Sequence, residues 1–73
     1  MSLASKFAGA VYHARTERGL TQAQAAEALD ISTRWYQCIE NDAVIPSGEL
    51  TLKIIEFFNI TPAQLRENED VQI

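Results

Sequence analysis

Apolar residues recur along this chain every three or four positions, in short runs, and never alternate as a half-buried strand requires. Leu3, Phe7, Ala10, Val11 and Ala14 share one helical face, and Gly19 follows Arg18 where a helix stop belongs. Thr21-Gln22-Ala23-Gln24 has the form of a capping box, and Ala25, Ala26 and Leu29 line the inner face of the helix it opens. Asp30-Ile31-Ser32 is a tight break, after which Ser32 caps a third helix reaching about Glu40. Asn41-Asp42 end that helix, both being residue types that tolerate left-handed backbone. A loop through Val44-Ile45-Pro46 leads to a fourth helix capped by Ser47, with Glu49 in its first turn and Leu50, Ile54, Phe57 and Phe58 inside. Thr61-Pro62-Ala63-Gln64 opens a fifth, combining a cap, a proline at the first helical position and a second capping box. The pattern predicts an all-α fold, a bundle of five helices in a single domain over residues 1–73. Residues 3–66 are expected to be ordered and 67–73 to form a flexible acidic tail.

Composition narrows the function. A chain of 73 residues has room for one small core. Its single cysteine forms no internal disulfide, and Cys38 with His13 gives no zinc spacing, so no metal or cofactor is expected. No apolar run is long enough to span a membrane and no secretion signal opens the chain, which predicts a cytoplasmic protein without a membrane partner. The net charge of −4 argues, taken alone, against nucleic acid, because phosphate binding is driven by basic residues. The charge is uneven, however. Residues 1–34 carry four basic and three acidic groups, whereas residues 35–73 carry two and seven. An anionic partner would meet the first half and the start of the middle helix.

Thr21 to Asn41 is the informative segment. Two short helices joined by about three residues, with apolar positions at Ala25, Ala26, Leu29, Ile31, Tyr36 and Ile39, form a helix-turn-helix pattern. Small Ala26 lets the second helix approach the third, Ile31 plugs the turn, and Tyr36 and Ile39 anchor the third helix. At about 100° per residue, Arg34 then lies opposite the anchored face, Gln37, Cys38 and Asn41 also point away, and Thr33 sits on the flank. Such a surface suits base edges in a major groove, since arginine pairs with guanine and glutamine with adenine through two hydrogen bonds each.

Gly19-Leu20-Thr21-Gln22-Ala23-Gln24-Ala25-Ala26, Ile31-Ser32, Ile39-Glu40-Asn41, Pro46-Ser47 and Asn59-Ile60-Thr61 together resemble the phage repressor/Cro-type (XRE-like) helix-turn-helix family over about residues 7–65. The resemblance implies a compact, lambda-repressor-like five-helix domain, bacterial or phage-encoded, that represses transcription. It also implies that a homodimer binds a palindromic stretch of double-stranded operator DNA, with each third helix in a major groove. Ser32, Thr33, Arg34, Gln37 and Cys38 would contact bases. Gln22 and Asn41 match phosphate contacts, and Thr21 and Arg18, close to Gln22 in the chain, complete the expected phosphate set. Arg15 and Glu40 match a pair that ties the first helix to the end of the third. Departures from the family are Asp30 and Asp42 where glycine is usual, Ala25 where a larger aliphatic is common, and a loop 41–48 without Lys or Arg. They bear on affinity more than on fold.

Each residue has a plainer reading. Gln22 and Gln24 can be helix caps only, Arg34 an ordinary exposed arginine, Cys38 an exposed small residue and His13 a solvated one, while Trp35 favours packing. Two adjacent phenylalanines cannot both point fully inward, so Phe57 and Phe58, with Val44, Ile45 and Leu65, could form an apolar dimerisation patch. A protein-interaction module of the same fold, such as an antitoxin, antirepressor or dimerising partner, is the alternative function, favoured by the acidic charge. An enzyme is not expected, since the chain shows no nucleophile–base pair, no carboxylate constellation and no glycine-rich phosphate loop.

Overall fold

The computed structural model describes residues 2–65, arranged as α1 (Leu3–Glu17), α2 (Gln22–Leu29), α3 (Thr33–Asn41), α4 (Glu49–Phe58) and α5 (Pro62–Leu65). Residue 66 and the acidic segment 67–73, expected above to be a tail, lie outside the described residues. Local chemistry explains most of the helix ends. Ser2 accepts from the Ser5 N–H to start α1. Thr21 and Gln24 form a complete capping box, with reciprocal bonds of 3.0 and 2.8 Å, and Ser32 accepts from the Trp35 N–H at 3.0 Å.

Three helices stop in the same way. Gly19, Asp30 and Asn59 take left-handed backbone, and the next residue folds its N–H back onto the preceding helix. Leu20 donates to the Arg15 carbonyl (3.2 Å), Ile31 to Ala26 (3.0 Å) and Ile60 to Ile55 (3.0 Å). The apolar residue after each stop turns the chain inward, and Ile60 is itself buried.

One expected boundary fails, and two helix ends fall as expected but differ in local detail. Ser47 does not cap α4; Gly48 does, at φ +62° and ψ −131°, a conformation open to glycine and hardly to any other residue, and without a side-chain cap bond. The cause lies in the loop: Pro46 is buried and its carbonyl accepts the Thr51 hydroxyl, which fixes the approach to the helix. Asn41 belongs to α3 and Asp42 has φ −105°, so neither is left-handed; Ala43 is, at φ +54°. In α5, Gln64 accepts from the Thr61 N–H at 2.7 Å, but the Thr61 hydroxyl bonds the Gln64 side chain instead of completing the box. Alanine pays for left-handed backbone that glycine adopts freely, so Ala43→Gly should raise the unfolding free energy by about 0.5–1 kcal/mol, net of its greater unfolded-state entropy. Urea denaturation checks this; an unchanged or lower midpoint contradicts it.

α2 packs mainly on α3, and α1 runs against α3, α4 and α5. The core is Phe7, Ala10, Val11, Ala14, Ala25, Ala26, Leu29, Tyr36, Ile39, Ile54, Phe58 and Ile60, with Ile31, Trp35, Leu50, Ile55 and Leu65 packed against it. Ala25 and Ala26 of α2 and the Tyr36 ring of α3 are all fully buried in this core. Leu3, expected inside, is 58% exposed at the first turn of α1. Phe58 is core and Phe57 is not, the two rings meeting edge to face at 4.8 Å.

Candidate nucleic-acid interface

The site is built around one carboxylate. Glu40, near the end of α3, has a side chain only 1% exposed, and Arg15 of α1 meets it through two bonds, Nε to Oε2 at 2.7 Å and Nη2 to Oε1 at 3.0 Å. Arg15 Nη1 also donates to the Leu20 carbonyl at 2.8 Å, and its guanidinium lies 5.4 Å from the centre of the Tyr12 ring. Tyr36, one turn before Glu40, donates its hydroxyl to Oε2 at 2.5 Å, and Gln22 Nε2 donates to Oε1 at 3.1 Å. One cluster therefore joins α1, α2 and α3 and sets the angle of the helix-turn-helix. The ion pair was foreseeable from the resemblance; the Tyr36 bond was not, although its i, i+4 spacing to Glu40 is the available signal.

The groups shift one another's proton affinities. Burial works to raise the Glu40 pKa, but hydrogen bonds from Arg15, Tyr36 and Gln22, with the charge of Arg15, hold it below the ordinary 4.5. The hydrogen bond to Glu40 raises Arg15 against the effect of burial. Burial, and then the bond to Glu40, push the Tyr36 hydroxyl above its ordinary 10.0. A depressed carboxylate stabilises the fold above its unfolded pKa, and that stability is lost as pH falls through the folded value. A raised tyrosine does the reverse, stabilising below pH 10 and losing the contribution as pH rises through its folded pKa. Stability should thus fall below about pH 4.5 and above about pH 10. Glu40→Gln should flatten the acid limb and Tyr36→Phe the alkaline one, as measured by denaturation across pH; parallel profiles for variants and wild type contradict the assignment.

Outside this cluster, α3 presents Arg34, Gln37, Cys38, Asn41 and Asp42 around a shallow, open depression. Thr33, Arg34, Gln37 and Asn41 are exposed, and Cys38 is half-buried rather than fully exposed. Ser32 is exposed; its oxygen accepts the Trp35 N–H to cap α3, which leaves the hydroxyl proton and a second lone pair for a base. Thr21 is engaged in the cap of α2. The Gln22 side chain is directed inward and sideways: besides Glu40, its Nε2 reaches Asn41 Oδ1 at 3.5 Å, and its Oε1 accepts from Gln37 Nε2 at 3.3 Å. Arg18 lies elsewhere. Its guanidinium stacks 5.5 Å from the centre of the Phe58 ring and donates to the Ala14 carbonyl, on the side of α1 that meets α4. Asp42 adds a negative group to the edge of the depression; Glu40 does not, being paired beneath it.

Of the expected apolar patch, Phe58 drops out as a core residue, Val44 and Leu65 are half-buried, and Ile45 and Phe57 are exposed at 38% and 37%. Leu52, absent from the expectation, is 60% exposed. It lies about 140° around α4 from Phe57, so these two do not share a face. None of the described helices is long and apolar enough to cross a membrane.

A short helix, a left-handed turn at Asp30 and a second helix held by one face, with polar groups on the other, define a helix-turn-helix unit. The family model described as Helix-turn-helix matches residues 11–65, well over half of the chain, and the protein belongs to this family of DNA-binding regulators, of the Cro/C1 type. No curated protein and no solved structure matches the chain.

Proposed function

We propose that this protein is a sequence-specific repressor that binds a palindromic operator as a homodimer, each α3 lying in a major groove. The observation that carries the reading is the outer face of α3, where exposed Thr33, Arg34 and Gln37 stand on a helix clamped from behind by the Arg15–Glu40 pair. A rigidly held helix places base-contacting groups with small positional error, as readout through paired hydrogen bonds requires. Asn41, just beyond, supplies a phosphate contact, as do the N–H groups that open α2. The net charge of −4 is not spread over this face: Glu40 is neutralised in place, leaving Arg34 against Asp42. With so few cations the salt dependence of binding should be shallow compared with a strongly basic repressor.

Footprinting and gel shifts on DNA flanking the protein's own gene, at low salt and with oligomeric state measured by sedimentation, test the proposal. A protected palindrome occupied by two chains is the expected result. A folded protein without any preferred site overturns it and favours the second reading, a protein-interaction module of the same fold, to which the acidic total charge is better suited.

A further inference from the structure

The end of α3 carries a carboxylate that the fold does not use. Asp42 caps the helix with its backbone N–H, which donates to the Cys38 carbonyl at 3.0 Å. Its side chain is exposed and stands at the rim of the depression with Arg34, Gln37, Cys38 and Asn41. Among the described residues no hydrogen bond or ion pair holds that side chain. Nor does the charge support the helix. A negative group at a helix C-terminus faces the negative end of the dipole, where it destabilises, and at φ −105° the backbone makes no demand for aspartate.

The chemistry of the group limits what it can meet. An ionised carboxylate accepts hydrogen bonds and donates none. In the major groove guanine offers acceptors, thymine an acceptor and a methyl group, and adenine a donor with the acceptor N7 beside it. Cytosine alone presents a donor, its N4 amino group, and no acceptor. We infer that Asp42 is a specificity-determining residue that accepts from N4 of a cytosine at the end of the half-site reached by the C-terminus of α3. Arg34 is its complement, a donor-only group suited to guanine at the other side of the same depression. At about 1.5 Å per residue, position 42 lies about 12 Å along the helix axis from position 34. With α3 following the groove, the cytosine is then about three or four base pairs from the guanine, at about 3.4 Å per step. The same charge repels phosphate, so Asp42 weakens binding to unrelated DNA while it strengthens the correct site. Those effects have opposite signs, which separates base reading from simple repulsion.

This inference rests on the DNA-binding reading. The probe is a library of operator variants carrying all four bases at each position, together with an unrelated duplex at the same salt. Wild type, Asp42→Ala, Asp42→Asn and Arg34→Ala are compared on it. Asp42→Ala should reduce the preference for cytosine at one base pair roughly tenfold or more, as expected for one hydrogen bond to a charged group. It should leave the base pair read by Arg34 alone and bind the unrelated duplex more tightly than wild type. Asp42→Asn, which keeps a neutral acceptor, should fall between wild type and Asp42→Ala. Melts followed by circular dichroism should place both Asp42 variants at or above wild type; a fall in both gives the carboxylate a structural role and overturns the inference. A uniform gain in affinity on every sequence overturns it too, and marks Asp42 as a repulsive neighbour of the phosphate backbone. So does a lost preference for a base other than cytosine, or an effect confined to the Arg34 base pair. A wild type with a preferred site that Asp42→Ala leaves unaltered overturns the inference alone. A wild type without any preferred site overturns the function, and the role of Asp42 falls with it.

Discussion

Replacing Arg15 with alanine should unfold the domain, or bring it to the edge of unfolding at 25 °C. The side chains of the pair are 11% and 1% exposed for Arg15 and Glu40, so the carboxylate left behind has little access to water. Breaking a buried ion pair by deleting one partner costs about 3–5 kcal/mol, most of it the penalty of an uncompensated buried charge. A domain of this size has a total stability at the lower end of the usual range, about 5 kcal/mol. The substitution therefore removes most or all of what is available. Urea or thermal melts followed by circular dichroism measure the loss. Replacing both partners, as in Arg15→Met with Glu40→Leu, should recover part of it, because no unpaired charge then remains, although the Tyr36 hydroxyl and the Gln22 amide lose their acceptor. A loss below about 1 kcal/mol for Arg15→Ala would mean that the pair behaves as a surface salt bridge and does not clamp α3.

The second large effect concerns binding without folding. Arg34 is exposed on the outer face of α3, so Arg34→Ala should leave the melting curve in place while weakening operator binding by about 1–3 kcal/mol, the range of one bidentate arginine–base contact. The loss should be concentrated at one base pair of each half-site, where the variant no longer prefers guanine. An equal loss against unrelated DNA, with a shallower salt slope, would assign Arg34 to the phosphate backbone instead. The two predictions act on opposite sides of the same helix, and together they distinguish the clamp from the reader.

Much of the fold can be read from single residues because helix ends are local events. Gly19, Thr21 with Gln24, Ser32, and Pro62 after Thr61 act through neighbours within four positions, so their types at those spacings place four of the five helices. The start of α4 is different. Ser47 is a good cap residue in isolation, yet burial of Pro46 and its bond to Thr51 carry the helix start one residue further, and the strained backbone falls on Gly48 and Ala43. Those residues lie close to Ser47 in the chain, but the burial of Pro46 belongs to the packed fold and is not announced by local residue types.

Helical periodicity likewise states which way a side chain points but not what it meets. From the spacing of Tyr36 and Ile39 it follows that Arg34 and Gln37 face outward, because the geometry of one helix suffices. It does not follow that the Tyr36 hydroxyl finds the enclosed Glu40 carboxylate, that Arg18 turns to Phe58, or that Phe58 rather than Phe57 is buried. Those outcomes depend on the packing of α1 against α3 and α4, across a contact 25 residues apart in the case of Arg15 and Glu40. The sequence by itself determined five helices, a turn between the second and third, and the polar surface that turn exposes. The tertiary structure alone decided which partners meet the enclosed carboxylate of Glu40 from the other helices, Arg15 of α1 and Gln22 of α2, since distant donors and acceptors meet only in the packed fold.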